Sequence, residues 1–295
     1  MDQKVWLFKH CTDLHQKTVA ITGATGGLGR EICRGILILG GSLILLNRSQ
    51  EKTDLLISQL KEDFPDAEIT FIPCDLEDLS SVDQALQQLK GCSFQVLLHN
   101  AGIYDVPRHR CSTGLDNVFQ VNFASPYYMT RKLLPCLREN HCRVTVVGSI
   151  AHTYSESRPD SPDFGDCPHC HLVYGNSKRY LMFAMWELFK KETDAEFSIG
   201  HPGITLTNIS NHYPRWLYPL IQPFLKVFFM SPRQASCSIL YALSRKLSYL
   251  QWAGPRFFNI WGTPSVKLLG TCKEEERHRI ARSAEHIYEE MCSAH

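Results

Sequence analysis

The chain has 295 residues, 44% of them hydrophobic and 21% charged, and its 31 Lys and Arg face 30 Asp and Glu for a formal net charge of +1. That profile suits a soluble globular protein long enough for one large α/β domain or two small ones, and with no long basic run it gives no electrostatic case for nucleic acid. No run of roughly 18 uncharged apolar residues is present to span a membrane, and the twelve cysteines sit within apparent strands and helices, the pattern of reduced thiols in a cytoplasm.

Residues 1–16 form an arm, MDQKVWLFKHCTDLHQ, in which charge breaks every apolar run before a signal-peptide core could form. From Lys17 the pattern changes. Short apolar runs, KTVAIT, SLILLN, ITFIP, FQVLLH, RVTVVG, EFSIGH and RFFNI, alternate with segments of helical period that begin near Leu28, Glu51, Leu79, Gly114, Tyr174 and Arg233. Continuously apolar strands alternating with helices predict an α/β fold, a single Rossmann-type doubly wound parallel sheet of about seven strands with helices on both faces. No repeat or low-complexity linker divides the chain, so 1–295 is read as a single domain. After the arm it runs through 17–207, an apolar stretch 208–232, and a helix, last strand and closing helix 233–295. In the tail Ile280, Ala284, Ile287, Tyr288 and Met291 recur at helical spacing, which predicts an amphipathic helix packed on the core.

The first strand runs into TGATGGLG, with Gly23, Gly27 and Gly29 ahead of a helix carrying Ile32, Ile36 and Leu39. Glycines there let the backbone turn tightly and let a diphosphate approach the free N–H groups of the helix N-terminus. The second strand ends in Asn47-Arg48, which removes the acid that selects NAD and supplies a cation for a 2′-phosphate, so NADP(H) is favoured over NAD(H). Further on, YGNSK sets Tyr174 and Lys178 four residues apart, on one face if helical. Tyrosine titrates near pH 10 and is a poor base alone; a neighbouring cation would favour phenolate and bring it into range for proton transfer.

With the glycine turn, Asn100-Ala101-Gly102, Ser149, YGNSK and Pro202-Gly203 in chain order, the sequence resembles the short-chain dehydrogenase/reductase family, and within it the retinol-dehydrogenase-like and hydroxysteroid-dehydrogenase-like members. The resemblance covers Lys17 to about Ser248 and implies a single dinucleotide-binding domain with its cofactor and catalytic core at 17–207 and an apolar substrate lid at 208–232. It implies that Gly23, Thr25, Gly27, Leu28 and Gly29 cradle the diphosphate, that Asn47 and Arg48 meet the adenosine ribose, and that Asp75 and Leu76 border the adenine. Asn100, Ala101 and Gly102 would support the sheet beside the cofactor, and Pro202, Gly203, Ile204 and Thr207 would meet the nicotinamide carboxamide. Ser149 would hold the substrate oxygen, Tyr174 would exchange its proton, Lys178 would hold the nicotinamide ribose, and Asn122 would steady a water behind the lysine. Gly148 departs from the frequent serine, and a long insertion separates Ser149 from Tyr174.

The implied activity is reversible interconversion of a carbonyl and an alcohol on a hydrophobic molecule, a steroid, retinoid or lipid. A peripheral lipid-associated protein and a catalytically silent NADP-binding regulator are the alternatives. HYPRWLYPLIQPFLKVFFM, residues 212–230, stands where the family places a mobile lid; it is read as lid, as membrane contact with Arg215 and Lys226 at headgroups, or as core. Cys167-Pro-His-Cys170-His171 invites a zinc reading, but without a second ligand cluster no metal is assigned. Met182, Phe183, Met185, Trp186 and Phe189 suit either core or a helix-helix dimer face, so a homodimer or homotetramer stays open, and His99 and His152 are read as core or rim histidines.

Overall fold

Six of the apolar runs form strands where their Val, Ile and Leu content places them. In the computed structural model, which describes residues 3–154, 156–158, 161–204 and 230–293, they are β1 (Thr18–Thr22), β2 (Ser42–Asn47), β3 (Ile69–Pro73), β4 (Val96–His99), β5 (Arg143–Val147) and β6 (Glu196–Gly200). The seventh strand, β7 (Gln251–Phe257), begins five residues ahead of RFFNI, and an eighth, β8 (Trp261–Leu268), follows it. Phe258 and Asn259 are the reason for the shift: with φ of 52° and 59° they make the turn between the last two strands and cannot extend either.

The strand order is β3-β2-β1-β4-β5-β6-β7-β8. The first seven strands are parallel and β8 pairs antiparallel to β7, so the expected seven-stranded parallel sheet gains an antiparallel edge. Pro264 in β8 faces Pro255, tolerable at a sheet edge where no further ladder is built. The order reverses between β1 and β4, and the crevice at the carboxyl ends of those strands is where such sheets take ligands.

Helices α1 (Gln3–His10), α2 (Gly27–Ile38), α3 (Gln50–Asp63), α4 (Leu79–Lys90), α6 (Cys170–Phe189), α7 (Pro232–Ser244) and α8 (Glu274–Ser293) surround the sheet. α5 is composite: Asn117–Phe119 leads through a π turn, Gln120–Ala124, into Ser125–Glu139. Two apolar clusters lie on opposite faces of the sheet, one under α4, α5, α6 and α8, the other under α1, α2, α3 and α7. The arm is thus not loose. α1 buries Trp6 and Leu7 and donates from Gln3 Nε2 to Ser236 Oγ on α7 at 2.9 Å.

The Met and aromatic run of α6 belongs to the core: Met182, Phe183 and Met185 are fully buried, and Trp186 and Phe189 meet the Phe197 ring at 4.8 and 5.4 Å. α8 lies across α5 and α6, where Glu285 accepts from Arg131 and Tyr127, and Tyr180 Oη donates to Ser283 at 3.3 Å.

Candidate active site

At the end of β1, Gly23 adopts φ 68°, and a Cβ there would stand 2.7 Å from Ala101 Cα. Only glycine lets the turn lie against the β4 end this closely. A Cβ on Gly29 would stand 2.4 Å from the Gly23 carbonyl oxygen, so the first turn of α2 rests directly on the loop. Asn100 fastens the other side, its Nδ2 donating to the carbonyls of Thr22 and Gly23 at 3.0 and 2.9 Å, while the N–H groups of Asn100 and Ala101 both reach Thr22 Oγ1 at 3.1 Å.

α2 opens after Gly26 with no side-chain cap, and Gly26 and Gly27 are exposed between half-buried Thr25 and Leu28. Uncapped N–H groups at the positive end of a helix dipole, reached through glycines, fit a dinucleotide diphosphate.

Asn47 has a different part from the one its position suggests. It is buried, accepts the Ala24 N–H at 2.8 Å and donates to Thr53 Oγ1 at 3.2 Å, so it braces the glycine turn from β2. The Arg48 side chain is 67% exposed, with Glu77 3.8 Å away. Asp75 accepts the Glu77 N–H at 3.0 Å, and the carbonyl of buried Leu76 accepts from Ser125 Oγ at 2.6 Å.

Asn122 lies in the π turn, an irregularity often found at functional positions. Its Oδ1 accepts the Ile103 N–H at 2.8 Å and its Nδ2 donates to the Ile103 carbonyl and Ser177 Oγ, both at 3.0 Å. Gly102 separates it from Lys178: a Cβ there would be 3.3 Å from both Asn122 Oδ1 and Lys178 Nζ. Lys178 is buried and donates to the Val147 carbonyl at 3.1 Å. Burial brings its pKa down to about 8. Behind it His99 is held neutral, down to about 3, by burial and by the Lys178 charge, and bonds Thr130 Oγ1 at 2.9 Å.

Ser149 caps the 3-10 turn Ile150–Thr153, accepting the Ala151 N–H at 3.2 Å. The long insertion does not keep it from its partner: the Ser149 side chain lies near enough to the Tyr174 phenol to lower its pKa. Two glycines permit this. Gly148 has no room for the frequent serine, because a Cβ would lie 2.7 Å from Ile199 Cγ2, and a Cβ on Gly175 would lie 2.4 Å from the Ala151 carbonyl oxygen.

The electrostatics run against the expected direction. Tyr174 has its pKa raised, by burial first, with the Ser149 side chain lowering it and Tyr154 adding to the rise. The Lys178 ammonium stands 5.8 Å from the Tyr174 ring centroid and is turned to Val147, so it does not outweigh burial.

Four supporting residues carry no motif. His152 is buried, with Nδ1 2.5 Å from the Ser149 carbonyl and Nε2 2.6 Å from Thr271 Oγ1, and burial lowers its pKa to about 4. Arg179, next to Lys178, donates to the His152 carbonyl at 2.8 Å and through Nε and Nη2 to Glu276 at 2.7 and 2.6 Å. An arginine inside the apolar run of α6 was the available signal, since a charge buried there needs a partner.

Gly203, at φ 80°, packs against the Ile260 carbonyl, to which Ile204 N–H donates at 3.3 Å; half-buried Pro202 precedes it. Thr207 and residues 208–229 of the lid expected at 208–232, with Arg215 and Lys226, lie outside the described residues, while Ser231 and Pro232 already cap and open α7. Tyr104 meets the Tyr174 ring edge-on at 5.0 Å, with Cys170 Sγ 3.9 Å from its hydroxyl. All twelve cysteines are free thiols, and among the described residues no group of three His, Cys, Asp or Glu is placed to hold a metal.

The short chain dehydrogenase family matches residues 17–158. Retinol dehydrogenase 14 of Mus musculus is 28% identical over 281 residues, 89% of this chain and 80% of that protein. Polyprenol dehydrogenase of Homo sapiens is 25% identical over 238 residues, 77% of this chain and 72% of its own length. A crystal structure of an uncharacterised protein from Mycobacterium paratuberculosis superposes with a TM-score of 0.74 at 23% identity, covering 95% of this chain and 96% of the other, a likeness of fold. With the glycine turn, the Asn-Ala-Gly strand end and the Ser, Tyr and Lys side chains gathered at one crevice, this chain belongs to the short-chain dehydrogenase/reductase family of nicotinamide-dependent oxidoreductases.

Proposed function

We propose that this protein is an NADP(H)-dependent reductase that interconverts a carbonyl and an alcohol on a hydrophobic substrate. One observation carries the reading: the Ser149 side chain lies near enough to the Tyr174 phenol to lower its pKa, on the same crevice as the glycine turn, with the Lys178 ammonium 5.8 Å from the Tyr174 ring centroid and Asn122 across Gly102 from the lysine. A bound nicotinamide supplies or accepts the hydride. Ser149 Oγ donates to the substrate oxygen and fixes it beside Tyr174 Oη. Burial keeps the phenol protonated, the form that can deliver a proton to the oxygen as negative charge develops there, so the protein's own groups favour carbonyl reduction.

Lys178, freed from Val147, reaches ribose hydroxyls, and Asn122 fixes the Ile103 backbone beside it. Gly23, Thr25, Gly27, Leu28 and Gly29 hold the diphosphate, and Asn47 holds their loop rather than the ribose. Arg48, exposed at the β2 end with no acid at Asn47, takes the 2′-phosphate. Asp75 and Leu76 border the adenine. Pro202, Gly203, Ile204 and Thr207 flank the nicotinamide. The relatives that act on retinol and polyprenol by name, and the exposed rings of Tyr104 and Tyr154 beside Tyr174, favour a long apolar substrate.

The test is NADPH and NADH oxidation by the purified chain against retinal, polyprenal, ketosteroids and short aliphatic carbonyls. Turnover with NADPH that improves with the apolar length of the substrate supports the reading. Preference for NADH, or for short polar carbonyls, refutes that part of it.

A further inference from the structure

The net charge of +1 conceals a division along the chain. Between Glu196 and Glu274 there is no Asp or Glu and there are eight Lys and Arg, leaving 23 basic against 30 acidic residues for everything else. The β7–β8 hairpin lies within that acid-free stretch. Its tip exposes an apolar cluster: Phe258 is 85% exposed, Trp261 50% and Phe257 45%, with Leu268 at 78% further along β8. The positive φ of Phe258 and Asn259 makes the tight turn at which Phe258 stands out, and Phe257 and Trp261 stack at 4.7 Å.

Such a tip is costly in water and is built to stay. Lys267 Nζ donates to the carbonyls of Pro255 and Arg256 at 2.7 and 3.0 Å and to Asn259 Oδ1 at 2.7 Å, which locks the turn.

We infer that this hairpin docks the protein on an anionic phospholipid surface, with Phe257, Phe258 and Trp261 entering the interface and Arg256 meeting headgroup phosphates. Composition and placement together select that partner. Aromatic side chains flanked by basic ones, without an acid, match the boundary of a negatively charged bilayer in both polarity and sign. The stretch from 205 to 229, which leaves at Ile204 and returns at Met230, continues the composition with Arg215, Lys226, nine aromatic or proline positions among its apolar residues, and no acid. Its ends lie beside the hairpin through Ile204, whose N–H donates to the Ile260 carbonyl in the turn and whose carbonyl accepts the Met230 N–H. Among the described residues no helix is long and apolar enough to cross a membrane, so the contact is at the surface. β7 runs parallel to the other six strands, which puts the tip at the carboxyl edge of the sheet, the edge that carries Ser149 and the glycine turn. The inference rests on the proposed reaction only for its purpose, delivery of a membrane-dissolved substrate.

The test is flotation of the full chain with vesicles of equimolar phosphatidylcholine and phosphatidylglycerol, and with phosphatidylcholine alone. Binding is expected to the anionic vesicles, to weaken with added salt, and to fall about tenfold or more in Phe258→Ser with Trp261→Ser. Because Trp261 stacks on Phe257, Phe258→Ser alone serves as the second variant, and reduction of a water-soluble carbonyl should be unchanged in both. Vesicle binding by a chain that turns over nothing would sink the catalytic reading and uphold this one. No binding to anionic vesicles, binding that ignores the hairpin variants, or a dimer in solution that Phe258→Ser dissolves while vesicles stay bare, would overturn it.

Discussion

Glu276→Gln removes one charge far from the hydride path and should disturb both folding and turnover. The carboxylate is 6% exposed and accepts from Arg179 Nε and Nη2 at 2.7 and 2.6 Å and from the Ser157 N–H and hydroxyl at 3.0 and 3.1 Å. Burial alone would raise its pKa, yet the Arg179 and Ser157 bonds with the Arg179 charge overcome that and hold it down to about 2, from 4.5. The variant keeps the shape but leaves the guanidinium, in a residue 3% exposed, without its hydrogen-bonded carboxylate. Stranding a buried partner costs about 3 kcal/mol, or roughly 5–10 °C in Tm for a chain of this size.

The sign with pH follows from the lowered pKa. The carboxylate contributes fully above about 4.5 and loses its contribution as pH falls toward 2, so the gap in Tm between wild type and variant should close in acid. Thermal denaturation of both proteins from pH 7 down to pH 3 measures this. Arg179 also holds the His152 carbonyl, and His152 the Ser149 carbonyl, so kcat should fall in the folded variant while cofactor affinity stays. A Tm gap that is absent at pH 7, or as wide at pH 3 as at pH 7, would refute the reasoning.

Arg48→Ala should weaken NADPH about tenfold in a fluorescence titration and leave NADH unchanged; equal losses would remove Arg48 from cofactor choice. Gly29→Ala pushes a Cβ to 2.4 Å from a carbonyl oxygen and 2.8 Å from Ala24 Cα, backbone atoms that cannot yield, so loss of cofactor binding is expected by calorimetry, with roughly 1–3 kcal/mol of destabilisation in urea. For Lys178, with its pKa brought down to about 8, the ammonium is lost as pH rises through 8. Cofactor affinity should therefore decline above that pH in wild type and stay flat in Lys178→Met. The buried charge costs stability below about 8 and that cost is relieved toward 10.5, so stability and affinity should move in opposite directions over this window.

What the sequence made legible was whatever depends on local pattern. Strands such as SLILLN are apolar because both faces are covered, and the glycines of TGATGGLG are legible because few other residues tolerate such a turn. RFFNI misled because its aromatics look like strand, while the deciding feature, the positive φ of Phe258 and Asn259, leaves no mark in hydropathy. β8 was missed because an edge strand may carry Gly262 and Pro264 and alternates only weakly. At the site, Ser149, Tyr174, Lys178 and Asn122 lie near one another, and Asn47 braces the glycine turn, a part that depends on Ala24 and Thr53 meeting it in space. Arg179 and Glu276 lie 97 residues apart, and nothing local pairs them.

The most direct measurement is single-turnover reduction by Tyr174→Phe set beside its NADPH affinity. With the phenolic proton gone and the ring retained, the rate should fall by about 10²–10⁴ while NADPH binds as in wild type. A variant that reduces substrate at the wild-type rate would show that the proton comes from elsewhere, and the account of this site would fail.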